Sequence, residues 1–317
     1  DGTLGYPTAI SMKHTSLAGL AIGNNINENT LTYFKNKTPT SSLAMAFMKC
    51  RIGDPRSSFG DFICLSRRCD VETAELIKSE VCDGVAAPDF DMKALEILKQ
   101  KKGGKFIVAK MDMDYYLKNY KNGWTETRTM YGVTLEQDNN KGTLNISDIP
   151  EEFEMARIDL ILSNIALKYA QSNNISIGVD GQIIGMGCGQ QNRVNCVHLA
   201  GVKAINWLNR QTQEAQDYWN GLDSELKRQT KVNMLYKYIE DNPELFNESR
   251  KSLLYKPALA SDGFFPFSDN IECANKYGVK FIVQPGGSIN DEEVQKSCDK
   301  YGINMVLSGA SNRMFFH

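Results

Sequence analysis

Apolar and polar positions along this chain change period many times, and the changes mark out short strands and helices in alternation. An apolar run over 8–12 reads as a strand; it ends in Lys13-His14, and the small residues at 15–19 supply a bend. Residues 20–40 are polar without a clear period. A helical pattern sets in over 41–49, with Leu43, Ala44, Phe47 and Met48 near one face. The Gly-, Pro- and Ser-containing stretch 53–61 reads as a loop, and 62–65 as a short buried strand. Asp70 is placed to cap a helix over 71–81 whose inner face is Ala74, Ile77 and Val81. Cys82-Asp83-Gly84 ends that helix, and 85–87 is predicted as a strand. Asp91 caps a second helix with Met92, Leu95 and Leu98 inward, Gly103-Gly104 stop it, and 105–110 is a strand.

Residues 112–150 are polar and turn-rich, with one strand over 129–136 crossing to the second half of the chain. Pro150 opens a helix predicted to run to about residue 170, its core face formed by Ile158, Ile161, Leu162, Ile165 and Tyr169. Asp180-Gly181 between apolar runs at 175–179 and 182–186 is a hairpin signal. Gly185 to Gln190 lead into a helix ending near 208, and 209–257 read as polar helices on the surface. The last stretch is an aromatic loop, a helix over 269–277, a strand over 279–283, the loop Gln284-Pro285-Gly286-Gly287-Ser288, a helix over 291–301 and a strand over 303–307. That is a βαβ unit, and the alternation throughout argues for a layered α/β fold.

With 317 residues the chain has room for one large domain or two ordinary ones. The formal net charge of −2 gives no reason to expect nucleic acid or an anionic membrane as partner, and no apolar run reaches the length of a membrane span. Eight cysteines show neither C-x-x-C spacing nor a His at zinc-ligand spacing; they read as reduced thiols of a cytoplasmic protein, with no metal site.

Candidate chemistry is concentrated in a few places. Only three histidines occur, and a scarce His beside a Lys at a strand end is an acid/base candidate, although the pair alone is also compatible with an ordinary surface. Two glycine-rich loops precede helices, at 185–190 and 285–288; each suits an anion at a helix N-terminus or simply a tight turn. Arg193 adds a charge near the first. Phe264-Phe265-Pro266-Phe267 is either core packing or a slot for a flat heterocycle, whose edge Asp269 or Asn270 would bond. Gln171-Ser172-Asn173-Asn174 offers amides between a helix and a strand. The C-terminus, Arg313-Met314-Phe315-Phe316-His317, is rich in recognition residues.

In this order, Ser11-Met12-Lys13-His14, Ser57-Ser58-Phe59-Gly60-Asp61-Phe62, Asp83-Gly84-Val85-Ala86-Ala87-Pro88, Lys168-Tyr169-Ala170-Gln171-Ser172-Asn173, and the blocks at 185–193, 261–270, 285–288 and 313–317 resemble the formyltransferase half of the bifunctional purine-biosynthesis enzymes. That half is the 5-aminoimidazole-4-carboxamide ribonucleotide (AICAR) transformylase. The resemblance implies a duplicated cytidine-deaminase-like three-layer α/β fold without zinc, its subdomains at 1–150 and 151–317. It also implies a homodimer with shared active sites and formyl transfer from 10-formyltetrahydrofolate, as co-substrate, to AICAR. His14 would be the general base, Lys13 its partner, and Asn173 would orient the amine. Phe59, Gly60, Asp83, Arg193, Phe264, Arg313 and Phe315 would contact the ribonucleotide. Val194, Pro266, Phe267, Asp269, Asn270, Ser288 and Ile289 would line the folate site. The family's upstream Arg-Tyr-Gly segment and its cyclohydrolase domain do not occur in this sequence, so the expectation is a standalone transformylase whose beginning is missing. A catalytically silent folate- or nucleotide-binding paralogue is the alternative.

Overall fold

The computed structural model describes residues 4–35, 37–121, 125–140, 142–250 and 254–314. Its strands are β1 (Thr8–Lys13), β2 (Ser16–Ile22), β3 (Asp61–Leu65), β4 (Cys82–Ala87), β5 (Ile107–Lys110), β6 (Thr125–Met130), β7 (Val133–Asp138), β8 (Asn174–Val179), β9 (Gln182–Cys188), β10 (Ala258–Ser261), β11 (Phe281–Gln284) and β12 (Asn304–Leu307). Its α-helices are α1 (Glu28–Thr32), α2 (Ser42–Gly53), α3 (Val71–Ser79), α4 (Met92–Lys99), α5 (Met113–Lys121), α6 (Arg157–Leu167), α7 (Arg193–Arg210), α8 (Gln213–Gly221), α9 (Arg228–Asp241), α10 (Pro243–Arg250), α11 (Asp269–Lys276) and α12 (Asp291–Tyr301).

Ten strands form one sheet in the order β12-β11-β10-β8-β9-β2-β1-β3-β4-β5. Each half contributes five strands with the same order and the same pairing senses. A hairpin (β1–β2, β8–β9) is flanked on the side of its first strand by an antiparallel neighbour (β3, β10), and two parallel strands follow. The halves meet where β2 pairs with β9 at Ala21 and Gln182. Both hairpins turn on two residues at positive φ: His14 and Thr15 in the first, Asp180 and Gly181 in the second. That backbone twist is the one that matches two paired strands.

Helices cover both faces. On one, α2, α3 and α4 pack over Ala9, Ala21, Ile63 and Val85, while α7, α11 and α12 pack over Ile175, Ile177 and Val179. On the other, α6 lies over β2 and β9 through Leu162 and Ala166 and over β10 and β11 through Leu160 and Ile161. The N-cap of α3 is Asp70, whose side chain accepts from Thr73 N, as the sequence predicts.

Several expectations change. β2 occupies a stretch expected to bend and then run polar, and β10 one to which the sequence assigned no strand. The single strand expected at 129–136 is a hairpin, β6–β7, turning at Tyr131-Gly132, every residue of which is exposed. The helix expected from Pro150 begins as a 3₁₀ turn over Glu151–Ala156 and becomes α-helical at Arg157. Tyr169 lies beyond its end and is exposed rather than core. The helices α8, α9 and α10 do lie outermost, but with α1 and α2 they bury a cluster of their own around Tyr33, Met48, Trp219, Leu235 and Phe246.

Candidate functional site

Strand directions bring the predicted site residues to one edge of the sheet. The ends of β1, β9, β10, β11 and β12 and the starts of β3, β4 and β8 all lie there, because β1 runs antiparallel to β2 and β3, and β8 antiparallel to β9 and β10. Lys13, His14, Phe59, Gly60 and Asp83 occupy the first-half side of this edge, and Asn173, Arg193, Phe264 and Pro266 the other.

On the second-half side is a cleft of about 390 Å³ lined by Ser172, Asn173, Gln191, Asn192, Arg193, Asp262, Gly263, Phe264, Pro266 and Arg313, a size ordinary for a small-molecule site. Its floor is a charged network. Arg193, the first residue of α7, is held against the buried carboxylate of Asp262 and donates to Ser261 Oγ at 2.9 Å. Its Nη2 donates to Asn173 Oδ1 at 2.7 Å, and Asn173 Nδ2 donates to the Gln190 carbonyl at 2.9 Å. A cis peptide joins Ser172 to Asn173. The Cys196 thiol donates to the Asn173 carbonyl at 3.0 Å; burial pushes this thiol up to about 11, so it keeps the proton it donates. Asn140 Nδ2 donates to the Arg313 carbonyl at 3.0 Å and anchors the C-terminal side of the cleft.

Phe264, Phe265 and Phe267 do not form one slot. Phe264 lines the cleft, Phe265 is fully buried with its N–H bonded to Gln284 Oε1, and Phe267 is 59% exposed. Asn270 is buried; its Nδ2 donates to the Phe267 carbonyl at 3.1 Å and to Asp269 Oδ1, so this amide nitrogen shapes the loop. Asn290 Nδ2 donates to the Pro266 carbonyl at 2.7 Å, tying the aromatic loop to the loop that carries Ser288 and the exposed Ile289. Val194 packs against the core beneath α7. Phe315 lies outside the described residues.

On the first-half side, Lys13 Nζ donates to the Phe59 carbonyl at 2.5 Å and His14 stands exposed at the hairpin tip. Gly60 N–H donates to Val81 O at 2.9 Å, and Asp83 pairs with Lys102 at 2.7 Å. The 57–61 loop rests on Arg51, which is buried between Asp61 and Glu80 and donates to the Ser58 carbonyl. Burial alone would lower the Arg51 pKa; Glu80 and Asp61 outweigh it and hold the guanidinium firmly charged.

Within one chain these two sides do not meet. β1 and β8 are separated by β2 and β9, which at ~4.8 Å per strand sets Lys13-His14 roughly 14 Å from Asn173. Sequence reasoning missed Asp262 and Ser172. The available signal was a carboxylate two residues after the apolar run Ala258-Leu259-Ala260, where a strand end could bury it and a buried charge needs a partner.

Among the described residues no cluster of His, Cys, Asp or Glu is placed to hold a metal ion, and no helix is long and apolar enough to cross a membrane. A family model described as the AICARFT/IMPCHase bienzyme matches residues 3–203. Among curated proteins, the bifunctional purine biosynthesis protein PurH of Prochlorococcus marinus (strain MIT 9215) is 30% identical over 315 residues, 98% of this chain and 47% of that protein. Its namesake in Petrotoga mobilis (strain DSM 10674 / SJ95) is 29% identical over 302 residues, 94% and 45% of the two chains. The one in Prochlorococcus marinus subsp. pastoris is 31% identical over 314 residues, 98% and 47%. The chain thus spans about half the length of these relatives. With the match covering more than half of its residues, the chain belongs to the AICARFT/IMPCHase bienzyme family.

Proposed function

We propose that this chain transfers the formyl group of 10-formyltetrahydrofolate to the 5-amino group of AICAR, giving formyl-AICAR and tetrahydrofolate, a step of purine biosynthesis in the cytoplasm. The observation that carries the reading is the cleft in which Asn173 is fixed at both ends of its amide, beside Arg193, Phe264, Pro266 and Arg313. The relatives are named for purine biosynthesis, and the motifs shared with them by resemblance are those of the formyltransferase half, so formyl transfer rather than cyclohydrolysis is the reaction assigned. The fold is read as the duplicated cytidine-deaminase-like one, with halves at 1–150 and 151–317; the repeated strand order supports this.

In this reading the ribonucleotide lies against Phe59, Gly60, Asp83, Arg193, Phe264, Arg313 and Phe315. The folate lies over Val194, Pro266, Phe267, Asp269, Asn270, Ser288 and Ile289, and no metal takes part. The separation of His14 from Asn173 along the sheet edge favours a homodimer in which each site takes Lys13-His14 from one copy and the cleft from the other. The amine lone pair attacks the formyl carbon while His14 accepts the amine proton. Lys13 stabilises the oxyanion as it forms; the carbon–N10 bond then breaks and the proton goes to N10. Holding two substrates in register lowers the barrier further.

The test is formyl transfer by the purified chain, with His14→Ala as control. Turnover that His14→Ala abolishes, with fold and oligomeric state unchanged, is the expected result. A variant that keeps most of the activity removes His14 as the base. Binding of AICAR or folate by the wild type without turnover would point to the silent paralogue.

A further inference from the structure

We infer that Asp262 is the residue that positions Asn173, acting on its side chain through Arg193 and on its backbone through both neighbours; the inference rests on the formyl-transfer reading. Asp262 is the first residue beyond β10 and is 1% exposed. Its Oδ1 accepts from Arg193 Nη1 and from the Asn174 N–H at 3.2 Å, and its Oδ2 accepts from the Ser172 hydroxyl. One carboxylate therefore bonds the residue before Asn173, the residue after it, and the guanidinium that holds its side chain.

The consequence is a fixed orientation for an amide that otherwise has two. Arg193 Nη2 donates to Asn173 Oδ1, and Asn173 Nδ2 donates to Gln190 O. A half-turn of the amide would set its NH₂ against the guanidinium and its oxygen against a carbonyl, losing both bonds. Arg193 thus decides which end of the amide faces which way, and Asp262 decides where Arg193 lies. On the side of Gly263 the guanidinium has no room to move, because an added Cβ there would lie 2.7 Å from Nη2. A polar network built on a buried carboxylate couples its members, so that loss of one disturbs the others. Asp262 borders the cleft, but its carboxylate is engaged by protein donors, so its influence on a bound nucleotide passes through Asn173.

A double-mutant cycle tests this, with kcat for formyl transfer and KM for AICAR measured on the wild type, Asp262→Asn, Asn173→Ala and the double variant. Asp262→Asn is expected to lower kcat about 100-fold, the order that a ~1 Å misplacement costs, and to raise KM by less. The double variant is expected within about threefold of Asn173→Ala, since a positioning residue has nothing left to position. Losses that multiply instead, leaving the double variant about 100-fold below Asn173→Ala, would overturn the inference. If Asp262→Asn does not fold, Ser172→Ala, which removes one bond to the same carboxylate and leaves the charge pair, takes its place with the same expected non-additivity. If the wild type binds AICAR without turnover, formyl transfer fails as the function, and the cycle is read on the AICAR Kd by calorimetry: non-additive losses support the positioning role and independent ones overturn it. A chain that neither binds nor turns over AICAR overturns both.

Discussion

Gly263 lies flat beneath Arg193, and this close approach makes one hydrogen atom matter. Gly263→Ala would drive a methyl group into the guanidinium at 2.7 Å, and Arg193 cannot yield without releasing Asp262 or Asn173. The expected result is a loss of AICAR affinity and turnover of at least about tenfold with a stability cost of about 1–3 kcal/mol, the usual range for overpacking; unchanged AICAR binding by calorimetry would reject the account. At this scale the sequence was legible where a residue type has few uses. Asn173, Arg193 and Phe264 all reach the cleft. It was misleading where one residue type serves two ends: Phe265, between two phenylalanines with other surroundings, is core because its backbone N–H is drawn inward by Gln284. Asp262 was passed over because a carboxylate beside a glycine reads as a turn until its cation is found in space, 69 positions away in the chain.

Elements were legible when they carried their own punctuation. Asp70 caps α3 through its side chain, Asp91 stands at the start of α4 without a side-chain bond, and Asp180-Gly181 turn the β8–β9 hairpin; Val81 and Met92, expected on inner helix faces, are exposed. β2 and β10 lack such marks. Both are built partly from Ala, Gly and Ser and become strands because neighbours on each side supply the ladder. The 57–61 loop is likewise set by tertiary contact: Arg51, in the last turn of α2, reaches its Ser58 carbonyl and pairs with Asp61 and Glu80. Arg51→Leu leaves the buried Asp61 carboxylate without a cation, while Glu80 keeps its pair with Arg228, and breaking a buried pair costs about 3–5 kcal/mol. We expect an unfolding free energy lower by about that amount, read as a lower urea midpoint at unchanged slope, and, in conditions where the variant stays folded, weaker AICAR binding as the loop loses its anchor. An unchanged midpoint would show that the Asp61 carboxylate finds another partner.

At the scale of the whole molecule, the chain uses one five-strand arrangement twice without a repeat visible in its sequence, because pairing and strand order survive the replacement of nearly every side chain. One local bond pattern survives with them: Ser66 follows β3 and exchanges bonds with Thr8 at the start of β1, as Asp262 follows β10 and exchanges bonds with Asn174 at the start of β8. The first half has a hydroxyl where the second has a carboxylate, and it is the carboxylate that holds Arg193. The two halves are clasped at the β8–β9 hairpin. Lys49 of α2 donates to the Asp180 carbonyl at 2.5 Å, and Asp159 of α6 accepts from the backbone N–H groups of Asp180 and Gly181 at 3.0 and 2.7 Å. Burial pushes Asp159 up to about 6, its two backbone bonds pulling back and the charge of Asp180 adding to the rise; burial likewise brings Lys49 down to about 8 against the pull of Asp180 and Asp159. Folded Asp159 therefore keeps its proton to a higher pH than the unfolded chain does, and its contribution to stability is lost as pH rises from about 4 to about 6, by about 3 kcal/mol for a shift of this size. Lys49 acts in the opposite sense: the folded chain gives up the proton near 8 and the unfolded chain keeps it to about 10, so stability is regained between those values. Unfolding free energies measured by urea from pH 4 to 10 should show Asp159→Asn gaining on the wild type across the lower window and Lys49→Met losing ground to it between about 8 and 10. Parallel curves for wild type and Asp159→Asn between pH 4 and 6 would mean that the carboxyl at the clasp titrates as it does in the unfolded chain, and that the seam is held by its backbone bonds alone.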